Sequence, residues 1–115
     1  MKEIDTNKEI SVINSIKVPV GHEQTALEVR GIYIEYFKTK SGFVSSTFYK
    51  SINPDNTFNY VNIVVWDSLD SFKKVVNEGF ENVDGLNKDG YKVLGKGFPA
   101  PISVNPGQFQ IISMD

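Results

Sequence analysis

The chain of 115 residues has no cysteine, one histidine (His22), one tryptophan (Trp66) and one arginine (Arg30). Without cysteine there is no disulfide framework, no thiolate nucleophile and no sulfur-ligated metal. A lone histidine cannot complete the donor set of a zinc or copper site. With scattered lysines there is no basic stripe to follow a phosphate backbone, and a net charge of -2 gives a polyanion no reason to bind. No nucleic-acid partner is expected. The apolar runs fall well short of the roughly 18 residues that a membrane span needs, so no membrane partner is expected either. "MKEIDTNKEI" at the N-terminus is polar and lacks the apolar core of a secretion signal. These absences together lead to the expectation of a cytoplasmic protein.

Hydrophobic residues at 40% and charged residues at 23% are ordinary for a globular chain, and the length suits one modest core. The expected organisation is a polar lead-in over 1–9 and a single domain over 10–115. "EISVINSIKVPV" alternates: Ile10, Val12, Asn14, Ile16 and Val18 share one face, and Ser11, Ile13, Ser15 and Lys17 the other. Pro19 and Gly21 end this strand. From about His22 to Lys40 the period becomes helical, with Ala26, Leu27, Ile34 and Phe37 on one stripe and Tyr33 beside it. Glu28, Glu35 and Lys38 can stay solvated. Gly31 in mid-helix suggests close packing, and Gly42 suits a left-handed helix cap.

"FVSSTFYKSI" and "FNYVNIVVW" flank "NPDN", a turn sequence, and so predict a hairpin. In the second strand Phe58, Tyr60, Asn62, Val64 and Trp66 point one way, and Asn59, Val61, Ile63 and Val65 the other. Both faces are largely apolar, so both need a cover: helices on one side and, most economically, a second subunit on the other. Asp67 or Ser68 caps a second helix whose stripe is Leu69, Phe72, Val76, Phe80 and Val83. "GLNKDGYKVLGKGFPAPISVNPG" reads as a long surface connection, and "QFQIISMD" as a last strand. The order is β-α-β-β-α-β, an α+β, ferredoxin-like arrangement with helices on one face of a four-stranded antiparallel sheet.

"VINSIKVPVGHEQTAL", "SGFVSSTFYKS" and "NYVNIVVWDSLDSF" are the stretches in which the chain resembles the antibiotic biosynthesis monooxygenase domain family. The last of them follows the family's strand-to-helix pattern of Asn, three residues, Trp, a polar residue and Ser, then Phe inside the helix. The resemblance runs over about residues 10–113. It implies a homodimeric α+β barrel with a pocket between sheet and helices in each subunit. It also implies oxidation of a small aromatic or quinol-like metabolite without metal or flavin, and hence no cofactor. Asn62 and Trp66 are the implied catalytic pair, about 13 Å apart along one strand face. Asn62 would offer an amide and Trp66 an indole N–H to orient the substrate and stabilise its anion. Tyr33, Phe37, Tyr60 and Phe72 would line the pocket, and Asn14 falls where a related heme-degrading branch places a functional asparagine.

The sequence departs from the family at several points. Some members have a tyrosine where this chain has Phe72, and an arginine with no counterpart near Leu86. A proton donor or acceptor would have to come from Tyr33, Tyr36, Tyr60 or Glu28. The heme-degrading branch's Trp and His fall at or near Val75 and Gly85, so no iron ligand is present. "GKGFPAP" is no dinucleotide fingerprint, because prolines stand where a phosphate-binding helix would start. His22 belongs to the exposed turn leading into the first helix. A non-catalytic dimeric barrel that binds a small ligand is the alternative reading.

Overall fold

The computed structural model describes residues 8–76 and 98–115. Among these residues seven elements follow one another: β1 (Ile10–Lys17), α1 (Glu23–Phe37), β2 (Phe43–Lys50), β3 (Tyr60–Trp66), α2 (Leu69–Val75), β4 (Ser103–Asn105) and β5 (Gln108–Phe109). The strands form one antiparallel sheet in the order β2-β3-β1-β4, with β5 also paired to β1. This is the expected α+β, ferredoxin-like arrangement. The fourth strand is split where Pro106 and Gly107 interrupt it. β4 pairs with the Ser15–Lys17 end of β1 and β5 with Ser11 and Val12, while the Ile13 amide donates to the Gly107 carbonyl between them at 2.8 Å.

Alternation along the central strands separates an inner from an outer face. Tyr60, Asn62, Val64 and Trp66 are buried, while Val61, Ile63 and Val65 are only half-buried. On β1, Ile10, Val12 and Ile16 are buried on the same side, since Ile10 pairs with Trp66, Val12 with Val64 and Ile16 with Tyr60. The helices pack on this inner face, where Ala26, Tyr33, Ile34 and Phe37 of α1 and Phe72 and Val75 of α2 are buried. The apolar residues fall into two clusters. One holds Ile10, Val12, Tyr33, Ile34, Phe37, Val64, Trp66, Phe72 and Val75, and the other Ile16, Val18, Ala26, Tyr60 and Ile102.

Local chemistry sets the joints. Ser68 has extended backbone and accepts from the Ser71 amide at 3.1 Å, so of the two candidate caps for α2 it is the serine that acts. Gly42 (φ +97°) does not cap α1, which ends at Phe37. It forms the turn into β2, where an added Cβ would come within 2.5 Å of Ser71 and 2.9 Å of Asp67. Asn59 accepts from the Val18 amide and donates to the Val18 carbonyl, both at 2.8 Å, which extends the β1–β3 pairing by one side-chain rung. In the hairpin loop, Asn53 accepts from the Asp55 amide at 3.0 Å, as expected of a turn-forming Asx residue.

Several sequence expectations need correcting. Leu27 is half exposed because it lies off the stripe made by Ala26, Ile34 and Phe37. Among the described residues nothing lies within 4 Å of a Cβ added at Gly31, so close packing against them does not explain it. The predicted last strand shrinks to Gln108–Phe109, with Ile111, Ile112 and Met114 exposed beyond it. Part of the stretch read as a surface connection instead builds β4, and Ile102 before it is buried. Phe80, Val83, Gly85 and Leu86 lie outside the described residues.

Candidate functional site

The two apolar clusters are divided by a polar layer that crosses three elements. On β1 it is Asn14, on β3 Asn62, and these two are direct partners in the ladder. On α1 it is Arg30, which stands four residues after Ala26 and four before Ile34 and so falls on the buried stripe. Asn62 is the one buried polar residue among the described core, at 6% exposure. The face carrying it is therefore the helix side, within the sheet-to-helix layer where the resemblance implies a pocket.

The hydrogen bonding of this layer is asymmetric. Arg30 Nε donates to Asn62 Oδ1 at 3.0 Å. A guanidinium only donates, so it fixes which way the Asn62 amide is turned and leaves Nδ2 at the other end. That nitrogen has no acceptor among the described residues. Asn14 Oδ1 is buried and accepts no hydrogen bond among the described residues. Leaving a polar atom buried without a partner costs about 1–3 kcal/mol, so the Asn14 oxygen is expensive in an otherwise apolar core. The Arg30 guanidinium lies 5.1 Å from the centroid of Phe48, which in turn stacks on Tyr60 at 5.4 Å. Phe48 reaches this layer because it is the ladder partner of Asn62. Burial lowers the Arg30 pKa, and no carboxylate pairs with it among the described residues. It remains a cation, since guanidinium is not deprotonated in proteins.

The other predicted residues divide between the clusters. Trp66 is fully buried, with Phe37 edge-on at 5.3 Å, Phe43 edge-on at 5.9 Å and Phe72 at 6.2 Å. Its indole N–H has no acceptor among the described residues. Tyr33 stacks on Phe37 at 6.4 Å and meets Phe98 edge-on at 6.0 Å. Phe98 packs against both clusters and so spans the polar layer. Asn14, Asn62 and Tyr60 thus gather at or beside the layer, whereas Trp66, Phe37 and Phe72 form an aromatic wall on one side of it. Phe72 occupies that wall as a ring without a hydroxyl. His22 stands at the start of α1 and makes no side-chain cap bond.

Arg30, Phe48 and Phe98 are the residues that sequence reading passed over. The signal for Arg30 was available: a single arginine on an apolar helical stripe must find a polar partner across the interface. Phe48 and Phe98 carried no comparable mark.

No protein-family model matches the sequence, and no curated protein matches it. Solved structures do. A candidate monooxygenase from Shewanella loihica PV-4 is 18% identical, with TM-score 0.64 over 93% of this chain and 97% of that one. SnoaB, a cofactor-independent oxygenase from Streptomyces nogalater, is 20% identical, with TM-score 0.63 over 93% of this chain and 96% of that one. An asparagine-to-alanine variant of SnoaB gives TM-score 0.67 at 20% identity and the same coverage. At such identities the likeness shows the fold. This chain has the α+β architecture of these oxygenases, as its resemblance to the antibiotic biosynthesis monooxygenase domain family implied. Among the described residues no helix is long and apolar enough to cross a membrane.

Proposed function

We propose that this protein is a cofactor-independent monooxygenase of the antibiotic biosynthesis monooxygenase type, acting on a small aromatic or quinol-like metabolite as a cytoplasmic homodimer. The polar layer carries this reading: two asparagines with hydrogen-bonding capacity unused among the described residues are set into the helix-side core of a fold shared with oxygenases. A group placed only for stability would have been satisfied. Asn62 Nδ2 would donate to the oxygen of a bound enolate or phenolate. Asn14 Oδ1 would accept from a substrate hydroxyl, and Tyr33, Phe37, Tyr60 and Phe72 would supply ring surfaces. Trp66, at the far end of the strand, would bound the other end of the substrate.

The chemistry then balances without a resident cofactor. An activated methylene loses a proton to water and becomes a carbanion whose charge rests largely on the substrate oxygen beside Asn62. It passes one electron to dioxygen, and the resulting radical combines with superoxide to form a carbon–peroxide bond. Protonation and loss of water leave a new carbonyl, so one dioxygen converts CH2 to C=O with one water released. The protein's part is to stabilise the anion with hydrogen-bond donors in a partly desolvated site.

A second copy of the chain would cover the outer face. Across β2, β3 and β1 that face presents Tyr49, Thr47, Val61, Ile63, Val65 and Ile13, with no charge at its centre. Tyr49 is half exposed, as is Phe109 beyond β1. Oxygen uptake with anthrone as substrate tests the enzymatic reading. Asn62→Ala should lower kcat/KM about a hundredfold, in line with the loss of one oxyanion donor. Trp66→Phe should lower it less. If anthrone binds but the wild-type protein consumes no oxygen above a protein-free control, the chain is a ligand-binding barrel. If neither substitution alters a measurable rate, the two assignments fail.

A further inference from the structure

We infer that Arg30 makes this site selective for a ligand carrying one ionised oxygen beside a protonated one, such as a mono-ionised dihydroxy-aromatic. The inference deepens the function just proposed and rests on its placement of the ligand at the polar layer. Three observations converge on it. Arg30 is half-buried on the inner side of α1, and its Nε is spent on Asn62 at 3.0 Å, which leaves the two terminal nitrogens of the fork. The fork lies over the Phe48 ring, which orients it without neutralising it. Nothing anionic faces it among the described residues. From β3 it meets Asn62, whose ladder partner on β1 is Asn14, and from β2 Phe48. The nearest titratable rings are Tyr60, stacked on Phe48, and Tyr33, one turn along α1. The acids of its own helix are engaged or remote: Glu23 bonds the Gly21 amide, Glu28 the Gln24 amide, and Glu35 pairs with Lys38.

A partly desolvated cation without a counter-ion is destabilised, and burial does lower its pKa. An oxyanion entering the layer relieves that penalty and takes a second hydrogen bond from Asn62 Nδ2. The orphaned Asn14 Oδ1 can serve only a donor, which is why the neighbouring ligand oxygen must keep its proton. Donor, acceptor and cation therefore match a pair of unlike oxygens rather than a neutral quinone or a fully ionised one. An opposite charge at 4–6 Å lowers an acid's pKa by about 1–3 units, so the site would also promote ionisation of what it binds.

Alizarin, a dihydroxyanthraquinone whose colour changes on ionisation, tests this, with its dimethyl ether as a shape-matched probe lacking both protons. Absorbance titration over pH gives the ionisation of the bound dye. The expected result is a downward shift of about one unit or more on binding to the wild type. Arg30→Gln should remove most of the shift, and the affinity for the uncharged ether should fall far less than that for the dye. Asn14→Leu should weaken the dye about tenfold, the loss of one hydrogen bond, and leave the ether unaffected. Equal shifts in wild type and Arg30→Gln overturn the inference, and binding of both probes then leaves the proposed site standing. If neither probe binds the wild type, inference and site fall together. Should Arg30→Gln not fold, Arg30→Lys decides: at least half of the shift retained supports a cationic role, and its loss with ether affinity intact refutes one.

Discussion

Asn62 and Arg30 form a coupled pair whose energetics can be worked out in advance. Replacing Asn62 by leucine, of nearly the same size, removes the acceptor of the 3.0 Å bond and leaves Arg30 Nε facing hydrocarbon. A hydrogen bond to a charged group contributes about 1.5–3 kcal/mol. Arg30 keeps partial contact with water, which favours the lower end of that range. Asn62→Leu alone should therefore destabilise by about 1.5 kcal/mol. Arg30→Met leaves Asn62 Oδ1 buried and unsatisfied and should cost about 1–2 kcal/mol. The double variant replaces both partners with apolar groups, joins the two apolar clusters into one, and should lie within about 1 kcal/mol of the wild type. Urea unfolding of all four proteins closes the cycle, with an expected coupling of at least about 1 kcal/mol. Additive single effects would refute the claim that the pair is one unit. They would also remove the reason for thinking that the layer is retained for binding rather than for stability.

Gly42→Ala combines a left-handed backbone with a clash against Ser71, and thermal unfolding should show a loss of about 2 kcal/mol or more. Gly42→Ala with Ser71→Gly should recover only part of it, because φ stays positive. Asn59→Ala deletes two bonds to Val18 and should cost about 2 kcal/mol in urea unfolding. Asn59→Asp keeps the acceptor but sets a carboxylate against the Val18 carbonyl, which raises that carboxyl's folded pKa. Its stability deficit should therefore shrink as pH falls, and a deficit independent of pH between neutrality and the carboxylate range would contradict the geometry. Ile63→Lys places a charge at the centre of the outer face. Sedimentation velocity should find wild-type dimers and monomeric variant, and a monomeric wild type would remove the proposed partner copy.

Much of the fold was legible because it follows from local periodicity. The alternation through "NYVNIVVW" placed Asn62 and Trp66 on one face, and the structure buries both there. The same rule put Ile63 and Val65 on the other face, where they are only half covered. The hairpin at "NPDN" and the Ser68 cap followed from turn and cap chemistry acting over a few residues. The short last strand was harder to read, because its β-prone residues run past the point where a neighbour is available. Pro106 breaks the pairing, and Ile111 and Ile112 have no strand beside them among the described residues. Gly31 misled for a related reason: a glycine reports that a side chain is missing and not whether a neighbour comes close.

What the sequence settled by itself was membership of faces, since a strand's period of two and a helix's of 3.6 are fixed by the backbone. It could not say which helical residue would stand over Asn62, because that depends on how α1 lies across β1 and β3. Only the folded chain brings Arg30 to Asn62, sets Asn14 opposite with its oxygen unpartnered among the described residues, and moves Trp66 into an aromatic enclosure away from both. The physical reason is range: periodicity is written into neighbouring residues, whereas this polar layer joins side chains 16 to 48 positions apart whose meeting is decided by packing.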